Sequence, residues 1–362
     1  MKKEIVIGDK KIGQKYEPFI IAEMSGNHNQ SLDRALRIVD AAAKSGAHAL
    51  KLQTYTADTL TLDVNSDDFY IKDSKSLWKN QNLYKLYQKA YTPWEWHQTI
   101  FDRCKQLGLI CLSTPFDETA VDFLEKLNVP CYKIASFENN HIPLLKKIAQ
   151  TKKPVIMSTG LATISDLDLA VNTLKENGCK DLILLKCTSA YPSQPINANI
   201  LTIPHMQTLF DCSVGLSDHT LGIGVAVASV VLGATVIEKH FTFSRSDGGV
   251  DAAFSLSDGG VDAAFSLEPD EMKNLVLETK RAWQALGQVK YGVSEGEQKS
   301  VIFKRSLYIS KDLKKGDVLS SGNIRVVRPG YGLAPKYIEM IKGKKISCDV
   351  KIGTPISWDL IL

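Results

Sequence analysis

At 362 residues the chain has room for one large domain and a small one, and its 44% hydrophobic and 23% charged content is that of an ordinary globular protein. No apolar run nears the roughly 20 residues that span a bilayer. Seven scattered cysteines, never spaced C-x-x-C, point to neither a disulfide framework nor a zinc site.

The opening stretch, MKKEIVIGDKKIGQKYEPF, starts on two lysines but has no long apolar core and no small-residue cleavage site, so a cytoplasmic protein is expected. Eight short β-rich runs then recur: FIIAEM, ALKLQTY, ICLSTPF, CYKIAS, PVIMSTG, LILLKCTS, CSVGLSD and TVIEKHFT. Helical patterning lies between them. Leu32, Ala35, Leu36, Val39 and Ala43 share one apolar face. A long loop, residues 56–91, has the look of a rim insertion or lid. Thr92, Pro93 and Glu95 read as N-cap, first-turn proline and capping-box acid of the next helix. LGIGVAVASVVLGA reads as a helix apolar on nearly every side, fit for burial. Eight alternating β/α units predict a (β/α)8 TIM barrel.

Near the end of that pattern SDGGVDAAFSL is written twice without a change, from Ser246 to Leu267. Two short copies cannot be a solenoid. A helix is expected from about Pro269, with Asp270 and Glu271 suited to its N-terminus. Beyond Lys280 the composition changes: YGVSEGEQKS is a polar linker, and KKGD and SSGN are turn signals among short β runs. The expected organisation is a barrel over residues 1–285, a linker over 286–300 and a small β-rich domain over 301–362. That last stretch holds 12 Lys or Arg against 5 Asp or Glu, a net of +7, which leaves −3 on the first 300 residues of a chain whose total is +4. It is a solvated surface, or it faces an anionic substrate or nucleic acid. No basic run interleaved with aromatic residues supports nucleic acid.

The eight runs are apolar at their starts and polar at their ends: Glu23, Lys51 and Gln53, Ser113, Lys133 and Ser136, Ser158, Ser189, Ser217, Glu238 and His240. A barrel gathers all these ends on the face where active sites lie. Buried charges cost much unless paired, so two lysines and two acids there argue for a converged polar site. His219 and His240 close neighbouring runs and are candidates to hold one metal. With only two imidazoles, oxygens must complete the shell, which suits loosely held Mn²⁺, Mg²⁺ or Co²⁺ better than structural zinc. Lys51 and Lys133 are suited to neutralising phosphate and carboxylate oxygens, with Ser113, Ser136, Ser158 and Ser217 as hydrogen-bond donors. A Schiff-base lysine of an aldolase is the rival reading, and a non-catalytic carbohydrate-binding protein is one of another class.

The motifs AEMSGNHNQSLDRAL, ALKLQTY, STPFD, YKIAS, MSTGLA, CTSAYP, GLSDHT and EKHFT, in this order, resemble the sialic acid synthase family. KRSLYISKDLKKGDVLSSGNIRVVRPGYGL is similar to that family's C-terminal antifreeze-like (SAF) domain, and the resemblance covers essentially the whole chain. Within the family, EMSGNHNQSL is most like the pseudaminic acid branch. The resemblance implies condensation of phosphoenolpyruvate with a sugar aldehyde and release of phosphate. In that branch the sugar is 2,4-diacetamido-2,4,6-trideoxy-L-altrose; the N-acetylneuraminate and legionaminic acid branches are the alternatives.

Carried over position by position, the resemblance implies that Lys51, Ser113, Lys133, Ser136 and Ser158 hold phosphoenolpyruvate, with Gln53 and Ser217 nearby. His219 and His240 would ligate Mn²⁺. Ser189 and Tyr191 would line the pocket, although many family members have Asn where Ser189 stands. Glu23 and Glu138 would bracket water and sugar. Arg328, in RPG, would reach into a partner's barrel, which implies a domain-swapped homodimer. The family has one GVD after the metal-binding His, and Asp251 keeps that spacing from His240 while Asp262 keeps the spacing to the following helix. Asp251 is the expected site residue, with Phe265 and Leu267 packed beneath the helix.

Overall fold

A computed structural model describes residues 4–72, 79–247 and 265–362. Asp251 and Asp262 lie outside the described residues. The eight β-rich runs form the barrel strands, as expected: β3 (Phe19–Glu23), β4 (Ala49–Thr54), β5 (Ile110–Pro115), β6 (Tyr132–Ile134), β7 (Val155–Ser158), β8 (Leu182–Cys187), β9 (Ser213–Asp218) and β10 (Val236–His240). All pair in parallel, and β10 closes on β3 with Val236 opposite Phe19 and His240 opposite Glu23.

Side chains alternate along a strand, so two cores form. Ile20, Leu50, Leu52 and Met157 belong to the core shared with the surrounding helices, whereas Ile21, Ala49, Leu112, Ile156 and Ile183 fill the barrel interior. An antiparallel hairpin, β1 (Ile5–Ile7) and β2 (Lys10–Ile12), adds Ile5, Ile7 and Ile12 to that interior core. Ile7 and Ile12 are buried, each contributing about 1.5–3 kcal/mol by leaving water. Gly215 is required where β9 meets β10: a Cβ there would stand 2.3 Å from the Val236 carbonyl oxygen.

The helices are α1 (Leu32–Lys44), α2 (Ala57–Leu60), α3 (Leu83–Ala90), α4 (His97–Gln106), α5 (Glu118–Lys126), α6 (Ile142–Gln150), α7 (Ile164–Glu176), α8 (Thr202–Phe210), α9 (Gly224–Val231) and α10 (Pro269–Leu286). Ser31 caps α1 by accepting from the Arg34 N–H, and α10 opens on Pro269 with a Glu268–Glu271 capping box. Two helix expectations need correction. Thr92 does not cap α4: a 3-10 turn over Trp94–Trp96 intervenes, and the Thr92 hydroxyl is instead bonded to His28 Nε2 at 3.2 Å. Helix α9 buries only one face, through Ala226, Ser229 and Val230, and Val231 is exposed. Apolar composition alone did not reveal which face meets the sheet.

The chain divides into two compact units, Met1–Gly287 and Gln288–Leu362. The second has its own core of Leu307, Ile309, Leu319, Ile324, Ile341, Ile346 and Ile356, around an antiparallel pair, β11 (Ser306–Ile309) and β12 (Ile324–Val327). Among the described residues no helix is long and apolar enough to cross a membrane.

Candidate active site

The C-terminal ends of the barrel strands line a cavity of about 480 Å³. Its floor is a chain of four buried charges. Lys51 Nζ lies 2.9 Å from Glu23 Oε2 and 3.5 Å from Glu238 Oε1, and Lys133 Nζ lies 3.7 Å from the same Glu238 oxygen. Lys133 also donates to Ser158 Oγ at 2.6 Å, Ser217 donates to Glu238 at 3.2 Å, and Gln53 donates to Glu23 Oε1 at 2.8 Å. Burial pushes the Glu23 carboxyl up, and Lys51 and His240 offset only part of that. Burial also opposes ionisation of Glu238, yet Lys133, Lys51 and the two histidines hold it down at about 2. Lys133 is lowered by burial against the pull of Glu238. For Lys51, burial is outweighed by Glu23 and Glu238, and the amine is raised.

His219 and His240 stand at the rim with ring centroids 5.4 Å apart. His219 Nδ1 is 3.0 Å from the Thr188 carbonyl oxygen. A carbonyl only accepts, so Nδ1 carries the proton and Nε2 is left as the ligand atom. Among the described residues no cluster of three His, Cys, Asp or Glu surrounds a metal position. With ring centroids 5.4 Å apart and His219 held through Nδ1, the two imidazoles fit a divalent cation only if oxygen ligands complete its shell.

The profile of the NeuB family matches residues 38–260, and that of the SAF domain matches residues 304–362. The chain belongs to the NeuB family. It is 44% identical over 345 residues to the pseudaminic acid synthase of Campylobacter jejuni serotype O:23/36, covering 95% of each chain. To the pseudaminic acid synthase of Helicobacter pylori it is 41% identical over 343 residues, covering 94% of this chain and 97% of the other. The N,N'-diacetyllegionaminic acid synthase of Legionella pneumophila is 36% identical over 359 residues, with 98% and 97% covered. Among solved structures, the N-acetylneuraminic acid synthetase of Leptospira borgpetersenii superposes with a TM-score of 0.70 at 32% identity, covering 83% of this chain and 96% of that one. The family resemblance carried by the strand-end motifs thus holds for the whole chain.

In this NeuB chain the cavity brings together Glu23, Lys51, Gln53, Lys133, Ser136, Glu138, Ser158, Ser189, Tyr191, Ser217, His219 and His240. Gly160, in MSTG, permits part of this: a Cβ there would stand 2.2 Å from Ser189 Oγ, and the Gly160 N–H donates to Ser136 Oγ at 3.1 Å. Glu138 lies in a 3-10 turn, Ser136–Glu138, with its Oε2 buried and without a hydrogen-bond partner among the described residues. Burial pushes its carboxyl up to about 7, with Lys133 the main opposing charge.

Ser113 is not brought to the cavity. Its hydroxyl meets Thr54 Oγ1 at 2.6 Å, and Thr54 in turn meets His97 Nε2 of α4, on the helix side of the strand. Strand alternation turns its neighbour Thr114 inward instead, where Lys51 Nζ donates to Thr114 Oγ1 at 3.3 Å. Arg328 follows β12 in the second unit and is exposed. Phe265 does not pack beneath α10. Its ring centroid lies 4.9 Å from that of His240 and 5.4 Å from that of Tyr191, whereas Leu267 is bridged to Phe241 and joins the core.

Three features of the site were not fully placed by the sequence. Glu238 was visible as a polar strand end, but its place between two lysines depends on strand closure. Cys187 lines the cavity; burial opposes its thiolate, yet His219 lowers the thiol to about 6. An apolar wall faces the charged floor, made by Tyr55, Leu60, Ile71, Leu86, Tyr87 and Phe116, most of them from the excursion that carries α2 and α3. The apolar spacing within residues 56–91 was the available signal.

Proposed function

We propose that this NeuB chain condenses phosphoenolpyruvate with 2,4-diacetamido-2,4,6-trideoxy-L-altrose, giving pseudaminic acid and phosphate. The observation that carries the reading is the buried Glu23–Lys51–Glu238–Lys133 chain beside two histidines at the barrel mouth. Lys51 and Lys133, with Ser136, Ser158 and Ser217, hold the phosphate and carboxylate of phosphoenolpyruvate. A divalent ion between His219 and His240, Mn²⁺ first and Mg²⁺ or Co²⁺ otherwise, would supply Lewis-acid polarisation of the aldehyde.

The remaining steps use this chain's own groups. The enol carbon attacks the aldehyde carbon, and positive charge develops at the phosphate-bearing carbon. Glu23, ion-paired to Lys51, stabilises that charge, orients the water that adds there and takes the first proton of that water. Glu138, protonated below about pH 7, gives its proton to the former aldehyde oxygen. Phosphate then leaves by C–O cleavage, taking the bonding pair, while a lone pair of the new hydroxyl oxygen closes the ketone and the hydroxyl proton passes to the leaving phosphate.

The apolar wall supports this sugar over a more hydroxylated one. The proposed substrate has a methyl at C6 and two acetyl methyls, and burying one CH₂ contributes about 0.8 kcal/mol. N-acetylneuraminate or legionaminic acid synthesis remains the alternative on the same floor. Arg328 acts in a partner's site in a domain-swapped homodimer. The reaction takes place in the cytoplasm, with neither nucleic acid nor membrane as partner.

Phosphoenolpyruvate labelled with ¹⁸O at the bridging position tests the chemistry. C–O cleavage sends the label into phosphate, and borohydride with pyruvate leaves activity intact. Label retained in the sugar product, or inactivation by borohydride with pyruvate, would replace this scheme, the second outcome with a Schiff-base aldolase.

A further inference from the structure

Asp218 and Lys239 form an ion pair that the scheme above does not use. Asp218 is 2% exposed and Lys239 not at all, and Lys239 Nζ lies 2.8 Å from Asp218 Oδ2. The two residues stand opposite each other in the β9–β10 register. Alternation sends them away from the cavity, while Ser217, His219, Glu238 and His240 on either side of them line it.

The pair grips the chain around both histidines. Asp218 Oδ1 accepts from the Thr220 N–H at 2.9 Å and from its hydroxyl at 2.8 Å, and Lys239 Nζ donates to the Thr220 carbonyl at 2.5 Å. The residues before and after His219 are thereby held by Lys239, whose next residue is His240. The His219 carbonyl is also fixed, accepting from the Ser193 N–H at 2.9 Å.

A buried ion pair is a poor source of stability. Desolvating both charges offsets most of their attraction, and neutral replacements that keep the packing are often no less stable. We infer that Asp218 and Lys239 are positioning residues, whose ion pair sets the spacing at which His219 and His240 hold a divalent cation. The inference rests on reading those histidines as a metal pair.

The test titrates Mn²⁺ alone into the full-length protein, without substrates, by calorimetry and by the paramagnetic resonance of free Mn²⁺. The double variant Asp218→Asn/Lys239→Met keeps the acceptor for Thr220 and the packing volume but removes the ion pair. Asp218→Asn/Lys239→Gln retains a polar link between the strands. The first variant should melt within a few degrees of wild type yet bind Mn²⁺ about tenfold more weakly or worse, with the second in between. Mn²⁺ affinity within about twofold of wild type in the folded Met variant overturns the inference. Loss of the fold in both variants overturns it as well, because the pair is then a stability element. A wild-type protein that takes up no Mn²⁺ removes the metal reading itself, a result distinct from either.

Discussion

Replacing Glu138 with Gln should make the protein more stable at alkaline pH while disabling it. The folded carboxyl titrates at about 7 against an ordinary value of 4.5. The folded state therefore binds more protons than the unfolded one across that interval. Its cost is absent below pH 4.5, grows as the pH rises, and is complete above 7. The interval from 4.5 to about 7 corresponds to about 3 kcal/mol, and solvent screening at this partly exposed side chain reduces it to about 2. Gln carries no charge to desolvate. Urea unfolding at pH 8 should show Glu138→Gln about 2 kcal/mol more stable than wild type, and the difference should vanish near pH 4.5. In steady-state kinetics kcat/KM should fall by about 10²–10⁴-fold, and the pH dependence near 7 should disappear. Equal stability of the two proteins at pH 8 would refute the buried-carboxylate reasoning.

Lys51→Ala and Lys133→Ala should each weaken phosphoenolpyruvate use by about one to two decades, the loss of a charge-assisted hydrogen bond; an unchanged response to phosphoenolpyruvate concentration in both would contradict the floor assignment. Deleting one eleven-residue unit leaves the sequence of Phe265–Leu267 joined to Glu268 as before, and shortening a chain connection by this much changes its closure entropy by less than about 1 kcal/mol. Its melting point should stay within about 3 °C of wild type, and collapse of the fold would show that both copies are structural. Asp251→Asn should impair turnover strongly and Asp262→Asn weakly; the reverse would assign the second copy to the site. Mixing Arg328→Ala with His240→Ala protein should restore activity in exchanged dimers, and no recovery despite proven exchange would exclude action in trans.

Much of the barrel was legible because its strands are short, apolar at one end and polar at the other, and separated by helical periodicity. The same signal placed Lys51, Lys133 and Glu238 at one mouth, since parallel closure leaves strand ends nowhere else to go. Ser113 shows the limit of strand-end polarity, which says that a residue is near the mouth but not which face it takes. The inward position belongs to Thr114, one residue on. Thr92 was misread because its hydroxyl found a tertiary partner, His28, in place of a local cap. Phe265 reaches the histidines because Leu267 bridges to Phe241 just past β10, where the Asn27 amide donates to the Phe241 carbonyl at 3.0 Å. No periodicity encodes a contact of that kind.

The most direct test of the proposed activity is a competition in one vessel. Purified protein with Mn²⁺ and limiting phosphoenolpyruvate is offered equal amounts of 2,4-diacetamido-2,4,6-trideoxy-L-altrose, N-acetylmannosamine and the legionaminic acid precursor, and the products are resolved by mass spectrometry and nuclear magnetic resonance. The account predicts pseudaminic acid as the dominant product, with one phosphate released per molecule. Dominant N-acetylneuraminate or legionaminic acid, or no product from any of the three sugars, would contradict it.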